Sequence, residues 1–172
     1  MKITLAALRT LLREALEGDT ILSERPWSVE IEFKLDGGDA ADSEGRGPDG
    51  FEVLMRCGAV EASVVVDSYW NPQSGDASGN ALRFQVGGET VDGGETYVPV
   101  RFDDGTRQRL VVSNSPVAGM LTVAHAPGDS LPVVYLVVPT PFQEMDGDEI
   151  DFEVQGLGGG EVDARIVDHV NL

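Results

Sequence analysis

Apolar and polar residues alternate without error over Trp27-Ser-Val29-Glu-Ile31-Glu-Phe33-Lys-Leu35, which predicts a strand with one buried and one wet face. Phe51, Val53, Met55 and Cys57 repeat the pattern, and Ala59–Asp67 resumes it after Gly58, which predicts a hairpin. Further strands are expected at Ala81–Val86, Thr96–Phe102, Gln108–Ser113, Met120–Ala124, Pro132–Val138, Glu149–Val154 and Val162–Val167. Turn formers separate them at Gly87-Gly88, Asp103-Asp104-Gly105, Asn114-Ser115-Pro116, Pro127-Gly128-Asp129, Asp146-Gly147-Asp148 and Gly158-Gly159-Gly160. Val133–Val138 is apolar throughout and is expected to be a central strand covered on both faces. Short strands at this spacing point to an all-β fold, an antiparallel two-sheet sandwich, jelly-roll-like, of about nine or ten strands.

Ahead of the strands the period changes. Leu5, Leu8, Leu12 and Leu16 fall on one stripe of a helix, with Thr4 placed to cap its start and Gly18 its end. Residues 1–18 therefore form an N-terminal amphipathic arm, and 19–172 a single β-domain of a size that one core can fill. Residues 36–50 contain no large apolar side chain and are rich in Gly and Asp, the composition of a long, mobile surface loop. Asn71–Asn80 is a second turn-rich loop, led in by Tyr69-Trp70.

Charge narrows the functions open to such a fold. The formal net charge is -18, from 30 acidic and 12 basic residues. Residues 1–17 hold three basic and two acidic residues, a net of +1, which leaves the body at -19 from nine basic and 28 acidic residues. That body repels phosphate backbones and anionic lipid, so neither direct nucleic-acid binding nor a membrane role is expected. A single cysteine, Cys57, excludes an internal disulfide, and its strand position fits an inert buried thiol. Arg9 and Arg13 interrupt the N-terminal segment, so no secretory signal is expected, and the chain reads as made in the cytoplasm.

Catalytic chemistry has little to stand on, and no enzyme is expected. His125, taken as the end of a strand, and His169, taken as part of a C-terminal tail, lack partners at zinc-ligand spacing. No nucleophile elbow or phosphate loop is present. Acidic groupings are the better lead: Asp36, Asp39 and Asp42 in one Gly-rich loop could offer oxygens to calcium, as could Asp146, Asp148 and Asp151, or Asp103 and Asp104. None has EF-hand spacing. Tyr69 and Trp70 are the candidate aromatic platform for a sugar, because Trp27 belongs to a buried face.

Met1-Lys2-Ile3-Thr4, followed by Leu8-Arg9 and Leu12-Arg13-Glu14, resembles a start found on many small proteins of tailed bacteriophages. The resemblance covers roughly the first sixteen residues. It implies a non-catalytic virion protein of the capsid-decoration or accessory-head kind, located on the particle and bound to a capsid or tail subunit, with homo-oligomers in the assembly. On that reading Leu5, Leu8, Leu12 and Leu16, flanked by Arg9 and Arg13, are the partner-binding residues. The alternative is a carbohydrate- or calcium-binding β-sandwich module using the 36–50 loop and Tyr69-Trp70. An enzyme on the same scaffold ranks third. No cofactor other than calcium is expected.

Overall fold

The structure, a computed structural model, describes residues 26–35, 50–68, 80–142, 149–157 and 162–171. Ten strands run through them: β1 (Trp27–Lys34), β2 (Phe51–Cys57), β3 (Val60–Ser68), β4 (Asn80–Val86), β5 (Glu89–Tyr97), β6 (Gln108–Ser115), β7 (Met120–Pro127), β8 (Val133–Pro139), β9 (Asp151–Gly156) and β10 (Asp163–Asn171). They form two five-stranded antiparallel sheets, ordered β10-β1-β6-β7-β8 and β5-β4-β3-β2-β9. The expected two-sheet sandwich is therefore present. The N-terminal helix and its leucines lie outside the described residues.

Strict alternation explains β1. Trp27, Val29, Ile31 and Phe33 are fully buried, while Ser28, Glu30, Glu32 and Lys34 are partly exposed on the opposite face. Each of those apolar side chains contributes about 1.5–3 kcal/mol on burial, enough to fix the register against a one-residue slip. Phe33 carries the core across the two layers, with its ring centroid 4.9 Å from Phe51 and 6.1 Å from Phe102. At the other end Trp27 meets Phe152 edge-on at 5.2 Å and Phe142 at 6.3 Å. Gly50 admits no larger residue, because a Cβ there would fall 1.6 Å from the Val66 carbonyl oxygen.

Three expectations are corrected. Val133–Val138 forms most of β8, which is an edge strand rather than a central one, with Val133, Val134 and Val137 about half exposed at 53%, 54% and 52%. An uninterrupted apolar run says how much surface could be buried, and nothing about which neighbours exist to bury it. The strand expected at Thr96–Phe102 starts and ends earlier, as β5, after a tight turn in which Gly87 (φ 59°) and Gly88 (φ 82°) both take positive φ. Its polar sequence belongs to a sheet edge, where one side needs no apolar cover, and Gly93 (φ 69°) accompanies a register shift against β4. The third correction concerns the histidines. His125 is fully buried inside β7, which continues to Pro127, and His169 is part of β10 rather than of a tail.

Candidate functional site

The two ends of the sandwich are built differently. At one end β2 and β3 are joined by residues 58–59, β4 and β5 by 87–88, and β6 and β7 by 116–119, with the longer β8–β9 connection beside them. At the other end the pairings bring together Lys34 with Asp163, Gln108 with Pro127, Phe51 with Gly156, and Ser68 with Asn80. From that end leave the connections 35–50, 69–79, 98–107, 128–132 and 157–162. Long connections carried on a rigid frame are where binding residues concentrate.

The described connection, 98–107, shows how this end is held. It crosses from the β5 edge of one sheet to the centre of the other, and both sheets grip it. Asn80, at the start of β4, donates from Nδ2 to the Val100 carbonyl (3.0 Å) and accepts at Oδ1 from the Phe102 amide (3.4 Å). Gln108, at the start of β6, donates from Nε2 to the carbonyls of Arg101 (2.9 Å) and Phe102 (3.1 Å) and to Asp104 Oδ1 (3.0 Å). The Gly105 amide reaches the Leu35 carbonyl at 3.0 Å, and the Leu157 amide reaches that of Gly50 at 3.0 Å, which ties down two further connections.

Because the Gln108 nitrogen faces three acceptors, its Oε1 faces His125, 2.6 Å away, and His125 donates from Nε2. The imidazole packs edge-on against Phe102 at 5.0 Å and lies 6.1 Å from Phe33 and 6.3 Å from Tyr135. Burial pushes its pKa down to about 4, against a small opposing pull from Asp104, so the ring is neutral at pH 7. Its Nδ1 is buried without a hydrogen-bond partner. This histidine is a strut that orients Gln108.

The acidic pair expected as a calcium candidate has a structural job. Asp103 accepts from Arg101 Nε (2.9 Å) and Nη2 (3.0 Å), and that carboxylate raises the Arg101 pKa. Asp104 Oδ1 accepts from the Thr106 hydroxyl (2.6 Å) and amide (2.9 Å) as well as from Gln108. Burial would raise the Asp104 pKa, but the Thr106 and Gln108 hydrogen bonds outweigh it and hold the carboxyl below its ordinary value. Asp103 therefore spends both oxygens on Arg101, and Asp104 spends Oδ1 on Thr106 and Gln108. Asp36, Asp39, Asp42, Tyr69 and Trp70 lie outside the described residues, as do Asp146 and Asp148. The connections that carry the first five nonetheless start and finish at this same end, at Leu35 and Gly50 and at Ser68 and Asn80. Asp151 and His169 instead line a separate shallow cavity of about 200 Å³ with Val29, Ile150, Phe152 and Ile166. Among the described residues no three His, Cys, Asp or Glu side chains converge to hold a metal ion.

Asn80 and Gln108 escaped sequence reasoning, although one signal was there: both are polar at inward positions of alternating strands. A buried amide needs several partners, and only irregular backbone nearby offers that many unpaired groups.

The lumenal domain of VIP36, in a Ca2+/Man3GlcNAc-bound form, is similar over 89% of this chain and 71% of its own, at 17% identity and a TM-score of 0.58. Lectin I-B4 from Griffonia simplicifolia, in a metal-free form, matches 87% of this chain and 71% of its own at 13% identity and 0.57. Lectin UEA-II complexed with galactose matches 84% and 70% at 12% identity and 0.56. The fold is legume-lectin-like. No protein-family model and no curated protein matches the sequence. These lectin neighbours overturn the expectation of a capsid- or tail-binding structural protein. The earlier expectation leaned on sixteen N-terminal residues made of common helix formers, whereas the lectin likeness spans most of the chain.

Proposed function

We propose that this chain is a non-catalytic carbohydrate-binding module of the lectin-like sandwich class, taking its ligand at the long-loop end. The observation that carries the proposal is the convergence of connections 35–50, 69–79 and 98–107 on one end of a fold whose neighbours include a Man3GlcNAc-bound and a galactose-bound protein. A saccharide site needs an apolar ring to stack on and fixed acceptors for hydroxyl groups. Tyr69 and Trp70 supply the ring, and Asp36, Asp39 and Asp42 supply acceptors, directly or through a calcium ion. The 98–107 connection, fixed by Asn80 and Gln108, is the firmly held part of that end.

The test is titration calorimetry of the whole chain with mannose- and galactose-terminated oligosaccharides, with calcium and with chelator. Saturable binding that is lost in Trp70→Ala supports the reading, and loss in chelator or in Asp36→Asn/Asp39→Asn assigns calcium to the same site. A folded protein that binds no glycan under either condition refutes it. Saturable binding untouched by Trp70→Ala and Tyr69→Ala refutes the assignment of the platform.

A further inference from the structure

The outer face of the β10-β1-β6-β7-β8 sheet is divided by chemistry. Across the strands, Glu32 pairs with Arg109, and Arg107 and Arg165 reach Glu32 at 3.2 and 3.1 Å, so the β1 side and the long-loop end carry ion pairs. Toward β8 the rows change character. Ser113, Thr122 and Val137 stand side by side in one row, and Val111, Ala124 and Val134 in the next. In this corner the residues of these two rows from β6 to β8 are uncharged, Arg109 reaching the Ser130 carbonyl at the long-loop end (2.9 Å), and the sequence from Ser130 to Gln143 contains no charged residue. Val134 and Val137 remain more than half exposed, at 54% and 52%, an unusual state for valines that already have a strand on one side.

We infer that this uncharged corner is the seat of the chain's own N-terminal segment, whose Leu5, Leu8, Leu12 and Leu16 lie over Val111, Ala124, Val134 and Val137. Three observations select that occupant. The first is where the segment joins: Trp27 begins β1 at the tight-turn end, in the row that runs through Asn114 and Leu121 to Val138. Three strand spacings, about 14 Å, separate β1 from β8, and residues 18–25 span up to about 26 Å when extended. The second is size: from Leu5 to Leu16 a helix rises about 16 Å, comparable with the length of β8. The third is charge, since residues 1–17 carry +1 and the body -19, so the arm is drawn to the body whereas a second copy, itself at -18, is repelled.

Proximity crosslinking of the whole chain decides the matter. Leu8→Cys or Leu12→Cys is paired with Val137→Cys, Cys57 being buried, and a bifunctional thiol reagent is applied. Joined peptides within species of monomer mass support the inference. Joined peptides in species of dimer mass overturn it and give the corner to a second copy. Hydrogen exchange supplies the independent readout: Leu8→Asp/Leu12→Asp is expected to speed exchange at Val134 and Val137 by about tenfold or more while β1 stays protected. No crosslink, or exchange at β8 unchanged by the aspartates, places the stripe elsewhere and overturns the inference. Intact Trp27 burial, followed by fluorescence in a Trp70→Phe background, confirms that each variant is folded.

Discussion

Lowering the pH is expected to weaken the fold through His125, and the size of the effect follows from its surroundings. The ring is fully buried among Phe33, Phe102 and Tyr135, donates to Gln108 Oε1 at 2.6 Å, and has its pKa lowered from 6.5 to about 4. Between those values the unfolded chain takes up a proton that the folded protein refuses. Stability is therefore complete above pH 6.5 and is lost as the pH falls toward the folded value. The linkage amounts to about 2 kcal/mol at pH 5 and about 3 kcal/mol at pH 4. Urea unfolding of the wild type and His125→Phe at pH 7.5, 6.5, 5.5 and 4.5 measures it. The variant starts out less stable, because Gln108 Oε1 loses its partner at a cost of about 1–3 kcal/mol. It lacks the imidazole's pH dependence, however, so the two curves should converge on acidification, carboxylate contributions being common to both. Parallel curves across that range would refute a neutral, proton-refusing His125.

Gln108→Leu leaves the Arg101 and Phe102 carbonyls and His125 Nε2 without their partner and is expected to cost about 2–4 kcal/mol, with exchange at 98–107 accelerating before that of β1 in a hydrogen-exchange time course. Phe102→Ala removes the ring that packs against both Phe33 and His125 and should cost about 3–5 kcal/mol by urea unfolding; a loss below about 1 kcal/mol would mean that this packing is not needed. Gly50→Ala drives a Cβ into the Val66 carbonyl, so a loss of about 1–3 kcal/mol is expected in the same assay, and an unchanged midpoint would contradict the close approach of β2 and β3 there.

What the sequence made legible was whatever depends on two-residue periodicity. β1 and β6 each bury one face, so every second residue there reports on the fold. β5 broke the rule because an edge strand with a register shift can be Glu-Thr-Val-Asp-Gly-Gly-Glu and still pair with β4 through its backbone. β8 misled for the opposite reason: six apolar residues imply cover, but sheet order put the strand at an edge. The long-loop end was invisible for a topological reason. The connections bearing Asp36 and Trp70 are separated by β2 and β3 in sequence, and only the antiparallel pairing brings their roots at Leu35, Gly50, Ser68 and Asn80 to one end. His125 illustrates a further limit, since its neutrality follows from burial among rings drawn from β1, β8 and the 98–107 connection.

The pairing of Trp27 with Asn171 has a consequence for how far chain order matters. β1 and β10, the first and last strands among the described residues, are hydrogen-bonded neighbours, so a short tether could join the end of β10 to the start of β1 without crossing the sandwich. New termini opened in the solvent-facing Gly87-Gly88 turn would then lie opposite the long-loop end. All ten strands would keep their neighbours, and the connections rooted at Leu35, Ser68 and Asn80 would stay intact. A circular permutant built this way is expected to fold. In such a protein the sheet order, not the direction in which the chain visits it, carries the architecture.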